Sequence, residues 1–219
     1  WQVQFWDEKG KASDWSDGAH CELGLLNNTD WQGQWIGHPD TVLEKKPSKK
    51  VLATPQYFRK PFQVSGDIKH ARLYITAKGL FKPFINGSIV AEKDVMTPGW
   101  TPYKKRIETL TYDLTDSLVQ GSNTIAANLA GGWYSGRAFD QMEQDHVLPP
   151  RLLAQLEITY ANGTTQTVVS DQSWQASQSG PIRFASIYDG ERYEQGLEMP
   201  GWTTANFEHA GWTGAIAEE

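Results

Sequence analysis

A chain of 219 residues is long enough to bury a substantial core and corresponds to about one to two domains. Its net charge of −6, from 20 Lys and Arg against 26 Asp and Glu, with basic residues scattered outside the run 44–50, argues against a nucleic-acid surface and against acidic or anionic-lipid partners. The single cysteine, Cys21, rules out an intrachain disulfide and a thiolate metal site, and reads as a structural thiol.

The chain opens on Trp1 rather than Met, so the natural N-terminus is expected upstream. Residues 1–30 read as a β-hairpin: a strand of period-two alternation, a turn at Glu8-Lys9-Gly10, and a second short strand after Gly18. A lone hairpin is marginal in water, so this one looks like the tail of another domain. The aromatic lead-in WQGQWIG (31–37) precedes a polar, proline-interrupted connection over 38–55. A strand follows from Gln56, with Pro61 suggesting an edge or a strand end. Further strands are predicted over 71–77, 81–85, 107–114, 124–129, 151–160 and 166–170, punctuated by Asn86-Gly87, Pro98-Gly99, Gly131-Gly132 and Asn162-Gly163. Residues 116–121 read as a short helical or turn segment.

Short strands at close spacing, with almost no helical period, predict an all-β fold: an antiparallel jelly-roll β-sandwich over 31–195, preceded by the hairpin of 1–30. Residues 196–219 are Trp-rich and irregular, and read as a linker or the start of a further domain. Ten tryptophans exceed what a core requires. Indole suits places where an apolar face must also offer a donor, and sugar stacking is one such use.

Turns deliver Trp100 and Trp133 to loop tips, close to Tyr103 and Tyr134. These four residues and Arg137 are therefore the candidate carbohydrate-binding set; capping the open end of the sandwich is the other reading of the tryptophans. The long polar loop after Ser135 carries Asp140, Glu143 and Asp145. A solvated acidic face explains these carboxylates without a ligand, and Ca²⁺ coordination is the alternative, although no glycine-bearing calcium loop is present. The dispersed histidines lack zinc spacing, and there is neither a Gly-x-Ser-x-Gly elbow nor a phosphate-cradling glycine loop.

Taken in order, WQGQWI (31–36), LYITAKGLFKPFING (73–87), PGWTPYKKR (98–106), TYDLT (111–115), GWYSG (132–136), LLAQL (152–156) and IYDGE (187–191) resemble the non-catalytic N-terminal region of bacterial α-L-rhamnosidases. The hairpin, with SDWS and ELGLL, resembles the last strands of a fibronectin type III-like domain. The resemblance implies a sandwich like that of a carbohydrate-binding module, with L-rhamnose and calcium bound there in some members. It places hydrolysis in an (α/α)₆ barrel downstream. Gly131 and Pro102 stand where relatives often carry Asp.

What the resemblance implies for this chain is a catalytically inert carbohydrate-binding or scaffolding portion of an enzyme that hydrolyses terminal rhamnose from glycans or glycosides. Its partners would be rhamnose-containing carbohydrate and the downstream catalytic domain, and its location secreted or periplasmic. The alternative is a purely structural module bracing the barrel. An independent small hydrolase would instead show activity on an aryl rhamnoside.

Overall fold

The computed structural model describes residues 1–41, 53–135, 148–208 and 210–218. Contacts divide the chain into two units, Trp1–Asp30 and Trp31–Glu219. In the first, Asp7 Oδ1 accepts the Lys9 and Lys11 amides at 2.9 Å each and fixes the turn. The returning arm pairs from Ala12 onwards rather than after Gly18: Trp6 bridges Ala12, and the amides of Ser13, Ser16 and Ala19 donate to the carbonyls of Phe5, Val3 and Trp1. The serines of SDWS explain this early return, because the Ser13 and Ser16 hydroxyls also accept the Phe5 and Val3 amides. Cys21 is exposed instead of serving as a buried structural thiol.

The second unit is built, among the described residues, from β1 (Trp35–Gly37), β2 (Gln56–Val64), β3 (Ile68–Lys78), β4 (Leu80–Ile85), β5 (Ser88–Ile89), β6 (Leu110–Asp113), β7 (Gly121–Ala130), β8 (Arg151–Tyr160), β9 (Thr165–Val169), β10 (Gln175–Ser177), β11 (Ile182–Ser186), β12 (Gly190–Tyr193), β13 (Thr213–Gly214) and β14 (Ile216–Glu218). One sheet has the order β14-β1-β8-β3-β6, with β9 also on β8; the other has the order β13-β10-β2-β7-β4-β5. All pairings are antiparallel. The inward residues of both sheets form one core: Leu73, Ile75, Leu152, Leu156 and Ile158 from the first, and Phe58, Phe81, Ile85, Ile125 and Leu129 from the second. Period-two alternation thus places apolar side chains on the facing surfaces, where each fully buried Leu, Ile or Phe contributes about 1.5–3 kcal/mol.

The predicted strand at 107–114 shortens to Leu110–Asp113, because Thr76 and Thr101 engage the Glu108 and Arg106 carbonyls and draw the chain out of the ladder. Residues 116–121 turn on the Leu114 carbonyl, which accepts the Ser117 and Leu118 amides. Pro61 lies within β2, an interior strand rather than an edge. It is tolerated because β10 stops pairing at Arg59, leaving one side of β2 open at Pro61.

Gly79 carries the chain from β3 in one sheet to β4 in the other, at φ +139, where a Cβ would sit 2.4 Å from the Ala130 carbonyl oxygen. Only glycine fits that crossing. Residues 196–218 close the sandwich: β13 joins β10, β14 joins β1, and Ala215 alone links the two strands. Trp202 packs edge-on against Tyr57 and Phe84 and stacks on Trp212, so the tryptophan-rich segment covers the outer face of the second sheet. Of the tryptophans, Trp174 is fully buried in the core, its Nε1 donating to the Val169 carbonyl at 2.8 Å.

Candidate functional site at one end of the sandwich

Strand registers define the end at which the predicted residues meet. Lys78 at the end of β3 lies opposite Arg151 at the start of β8, Leu80 lies opposite Ala130, and Trp35 lies opposite Glu218. Directly after β7, the Tyr134 and Ser135 amides both donate to the Gly131 carbonyl, at 3.1 and 3.0 Å, which folds the chain back on itself. A Cβ at Gly131 would lie 2.3 Å from the Ser135 carbonyl oxygen, and one at Gly132, where φ is +52, would lie 2.5 Å from Leu80 Cγ. The glycine pair is therefore what delivers Trp133 and Tyr134 to this end.

Tyr103 arrives from the long connection between β5 and β6, and its ring meets Tyr134 edge-on at a centroid distance of 5.1 Å. This pair joins two of the predicted aromatic tips. Burial pushes the Tyr103 hydroxyl up to about 12, with Tyr134 adding to the shift. The Tyr103 and Ser135 hydroxyls are both buried without a hydrogen-bond partner among the described residues. Trp100, three residues before Tyr103, is 53% exposed, whereas Trp133 is half-buried. Arg137, Asp140, Glu143 and Asp145 lie outside the described residues.

Four residues of this end were not anticipated. Arg151 is almost wholly buried, pairs with the Glu218 carboxylate, and donates Nη1 to the Pro150 carbonyl at 3.1 Å, while its Nε has no partner among the described residues. Lys78 Nζ lies 4.5 Å from the centroid of the Trp35 ring. Burial holds the Lys78 amine below its ordinary value, with Glu218 pulling it up and Arg151 pulling it down. Tyr134 is raised by burial, against the lowering effect of the Arg151 guanidinium. The available sequence signal was a charged residue at the apolar end of a strand: Lys78 closes β3 and Arg151 opens β8.

The end as a whole offers an exposed indole, a tyrosine pair and buried donors. Flat apolar faces beside hydroxyl and guanidinium donors suit a ring that carries CH faces and hydroxyls. Among the described residues no three His, Cys, Asp or Glu side chains gather into a metal-ligating group. Neither Gly131 nor Pro102 supplies a side-chain carboxylate at this end.

The described elements thus define an antiparallel β-sandwich with an aromatic cluster at one end. Residues 66–219 match the family described as alpha-L-rhamnosidase N-terminal domain, and residues 1–27 match the Rha78A-like, N-terminal immunoglobulin domain. The chain belongs to the alpha-L-rhamnosidase N-terminal domain family. An alpha-L-rhamnosidase of Alteromonas sp. (strain LOR) is 54% identical over 218 residues, covering 100% of this chain and 24% of that protein. The crystal structure of the native rhamnosidase from Aspergillus terreus superposes with a TM-score of 0.91 at 37% identity, covering 100% of this chain and 25% of the other. The Streptomyces avermitilis alpha-L-rhamnosidase complexed with L-rhamnose gives a TM-score of 0.73 at 37% identity, over 77% of this chain and 16% of the other. The chain spans about a quarter of the length of the curated relatives it matches.

Proposed function

We propose that this chain is the non-catalytic, carbohydrate-binding portion of a longer α-L-rhamnosidase that hydrolyses terminal rhamnose from glycans or glycosides. The observation that carries this reading is the half-exposed Trp100 indole on the loop whose Tyr103 meets Tyr134. A pyranose stacks on Trp100 with Trp133 and Tyr134 as neighbours, and Arg137, which lies outside the described residues, is the remaining candidate contact. The downstream partner is the (α/α)₆ catalytic barrel of the same polypeptide, and the enzyme is secreted or periplasmic. Calcium is proposed only through Asp140, Glu143 and Asp145.

Isothermal titration with L-rhamnose, with and without calcium, tests the reading. Heat that disappears in Trp100→Ala supports it, and a calcium requirement that disappears in Asp140→Asn supports the ion. The absence of heat in every arm leaves a second reading, a module bracing the barrel without binding sugar. Val95 at 79% exposure and Met96 at 47%, just before Trp100, favour that second reading, since an apolar strip suits a protein surface better than a hydroxylated ring.

A further inference from the structure

Among the described residues β11 and β12 belong to neither main sheet and pair only with each other: Ile182 with Tyr193, Phe184 with Arg192, Ala185 with Glu191 and Ser186 with Gly190. All four residues of β12 are exposed, while β11 is half-buried throughout. A two-stranded ribbon is at best marginally stable in water and presents two unpaired edges. This one is nevertheless held in shape at both ends. At its tip the Ser186 hydroxyl accepts the Tyr188 and Asp189 amides at 3.3 and 3.1 Å and donates to the Asp189 carboxylate at 3.0 Å. At its root the Ile182 amide donates to the buried Tyr57 hydroxyl at 3.0 Å, and the Glu194 amide donates to the Pro181 carbonyl at 2.9 Å. Gly180 lies so close to the Tyr57 ring that a Cβ there would stand 2.4 Å from it.

A preformed ribbon that carries half-exposed Tyr188 and Tyr193 rings has the composition of an interaction arm. Its tip and outer strand carry the Asp189 and Glu191 carboxylates beside the Arg192 guanidinium, which pairs with Glu194 at 3.5 Å, while Arg183 on the inner strand donates to the Gly180 carbonyl at 3.1 Å. A surface that receives the arm would offer an apolar hollow to the two rings and a basic residue opposite Glu191. The match covers 24% and 23% of two curated relatives, so each is about four times as long as the matched region, which supplies the chain length for such a surface.

We propose that the β11–β12 arm docks onto the remainder of the same rhamnosidase polypeptide, with Tyr188 and Tyr193 as its apolar anchors and Glu191 meeting a basic residue. The proposal rests on the reading that this chain is part of a longer enzyme.

Hydrogen exchange on two proteins tests it: the 219-residue chain alone and the natural full-length polypeptide that carries it. Docking slows the amides of Gly190–Tyr193 by about tenfold or more in the long polypeptide. The double variant Tyr188→Ala with Glu191→Lys restores fast exchange there and leaves the β3 and β8 amides unchanged. Equal exchange of the arm in both proteins overturns the docking and leaves the functional reading intact. A natural polypeptide whose mass shows no barrel-sized extension overturns both. Should the double variant fold poorly, a photo-crosslinking amino acid in place of Tyr188 reads the same contact: capture of a peptide beyond residue 219 supports docking, and capture only within residues 1–219 overturns it.

Discussion

Arg59 donates its Nε–H to the main-chain carbonyl of Trp202 at 3.0 Å, across 143 residues of sequence. Its Nη2 donates to the Thr204 carbonyl at 2.7 Å, and the guanidinium lies 5.4 Å from the centroid of the Phe207 ring. Only 1% of Arg59 is exposed, and burial lowers its pKa, yet an arginine remains charged. One cation thus holds the tryptophan-rich segment over the second sheet, and that segment leads into β13 and β14.

Removing this cation should loosen the C-terminal cover. Arg59→Ala leaves two carbonyls without donors and a cavity against Trp202, a loss of about 2–5 kcal/mol. Arg59→Lys keeps the charge but loses the fork, and should cost roughly 1–3 kcal/mol. Urea unfolding followed by Trp fluorescence measures both; a loss well under 1 kcal/mol for Arg59→Ala would contradict the role assigned here.

The covered face also shows what a single sequence reveals and what it hides. Phe58 and Phe62 alternate with Tyr57, Arg59 and Pro61, so the inward side of β2 was readable from period two alone. That Tyr57, Arg59 and Phe84 are covered as well could not be read, because the covering residues lie more than a hundred positions away and show no period of their own. The strand identities of 213–218 were hidden for the same reason: a two-residue and a three-residue strand acquire meaning only through partners at β10 and β1. At the candidate site, the turn signals at Pro98-Gly99 and Gly131-Gly132 foretold breaks between strands, but not that Tyr103 and Tyr134 pack on each other there or that Trp133 is half-buried while Trp100 is exposed. The Lys78, Trp35, Arg151 and Glu218 group depends on register between strands, which no local pattern encodes.

The turn after β7 gives a sharp prediction. Gly132→Ala forces a side chain into positive φ and against Leu80, and should cost about 1–3 kcal/mol. A domain of this size then melts roughly 2–4 °C lower per kcal/mol. Gly163→Ala is the control, since it has positive φ with nothing within 4 Å and should show the conformational part alone. Equal melting shifts in the two variants would mean that the contact with Leu80 carries no weight.

Alkaline stability should report on the tyrosine pair. Tyr103 is raised from 10.0 to about 12 by burial, so its contribution is fully present below pH 10 and is lost as the pH climbs through about 12. Tyr112 is raised as well, by burial and by its hydrogen bond to Asp94, so part of the alkaline loss belongs to that residue. Tyr103→Phe removes a buried hydroxyl that has no partner among the described residues. It should leave stability at neutral pH unchanged or raised by about 1 kcal/mol and flatten the decline between pH 10 and 12. A clear loss at neutral pH would instead reveal a partner for that hydroxyl.

Acid should act at the opposite edge of the same cluster. Glu218 lies below its ordinary 4.5 because the Arg151 side chain hydrogen-bonds its carboxylate; the Arg151 and Lys78 charges also lower it, while burial opposes them. A depressed carboxylate stabilises the fold above its unfolded value, and that stabilisation is lost as the pH falls below about 4.5 through the folded value. With the Glu218 side chain 47% exposed, solvent screens the pair, so the effect on global stability is small. The local effect is larger, because Arg151 is nearly buried and loses its counter-charge at the point where β14 pairs with β1. Hydrogen exchange at Ile216–Glu218 should therefore accelerate below pH 4.5, after correction for the intrinsic rate, while β3 and β8 stay protected. Glu218→Gln should show the fast behaviour already at neutral pH and lose the acid dependence. If β14 opens with the same pH profile in both proteins, the Arg151–Glu218 pair does not hold that strand.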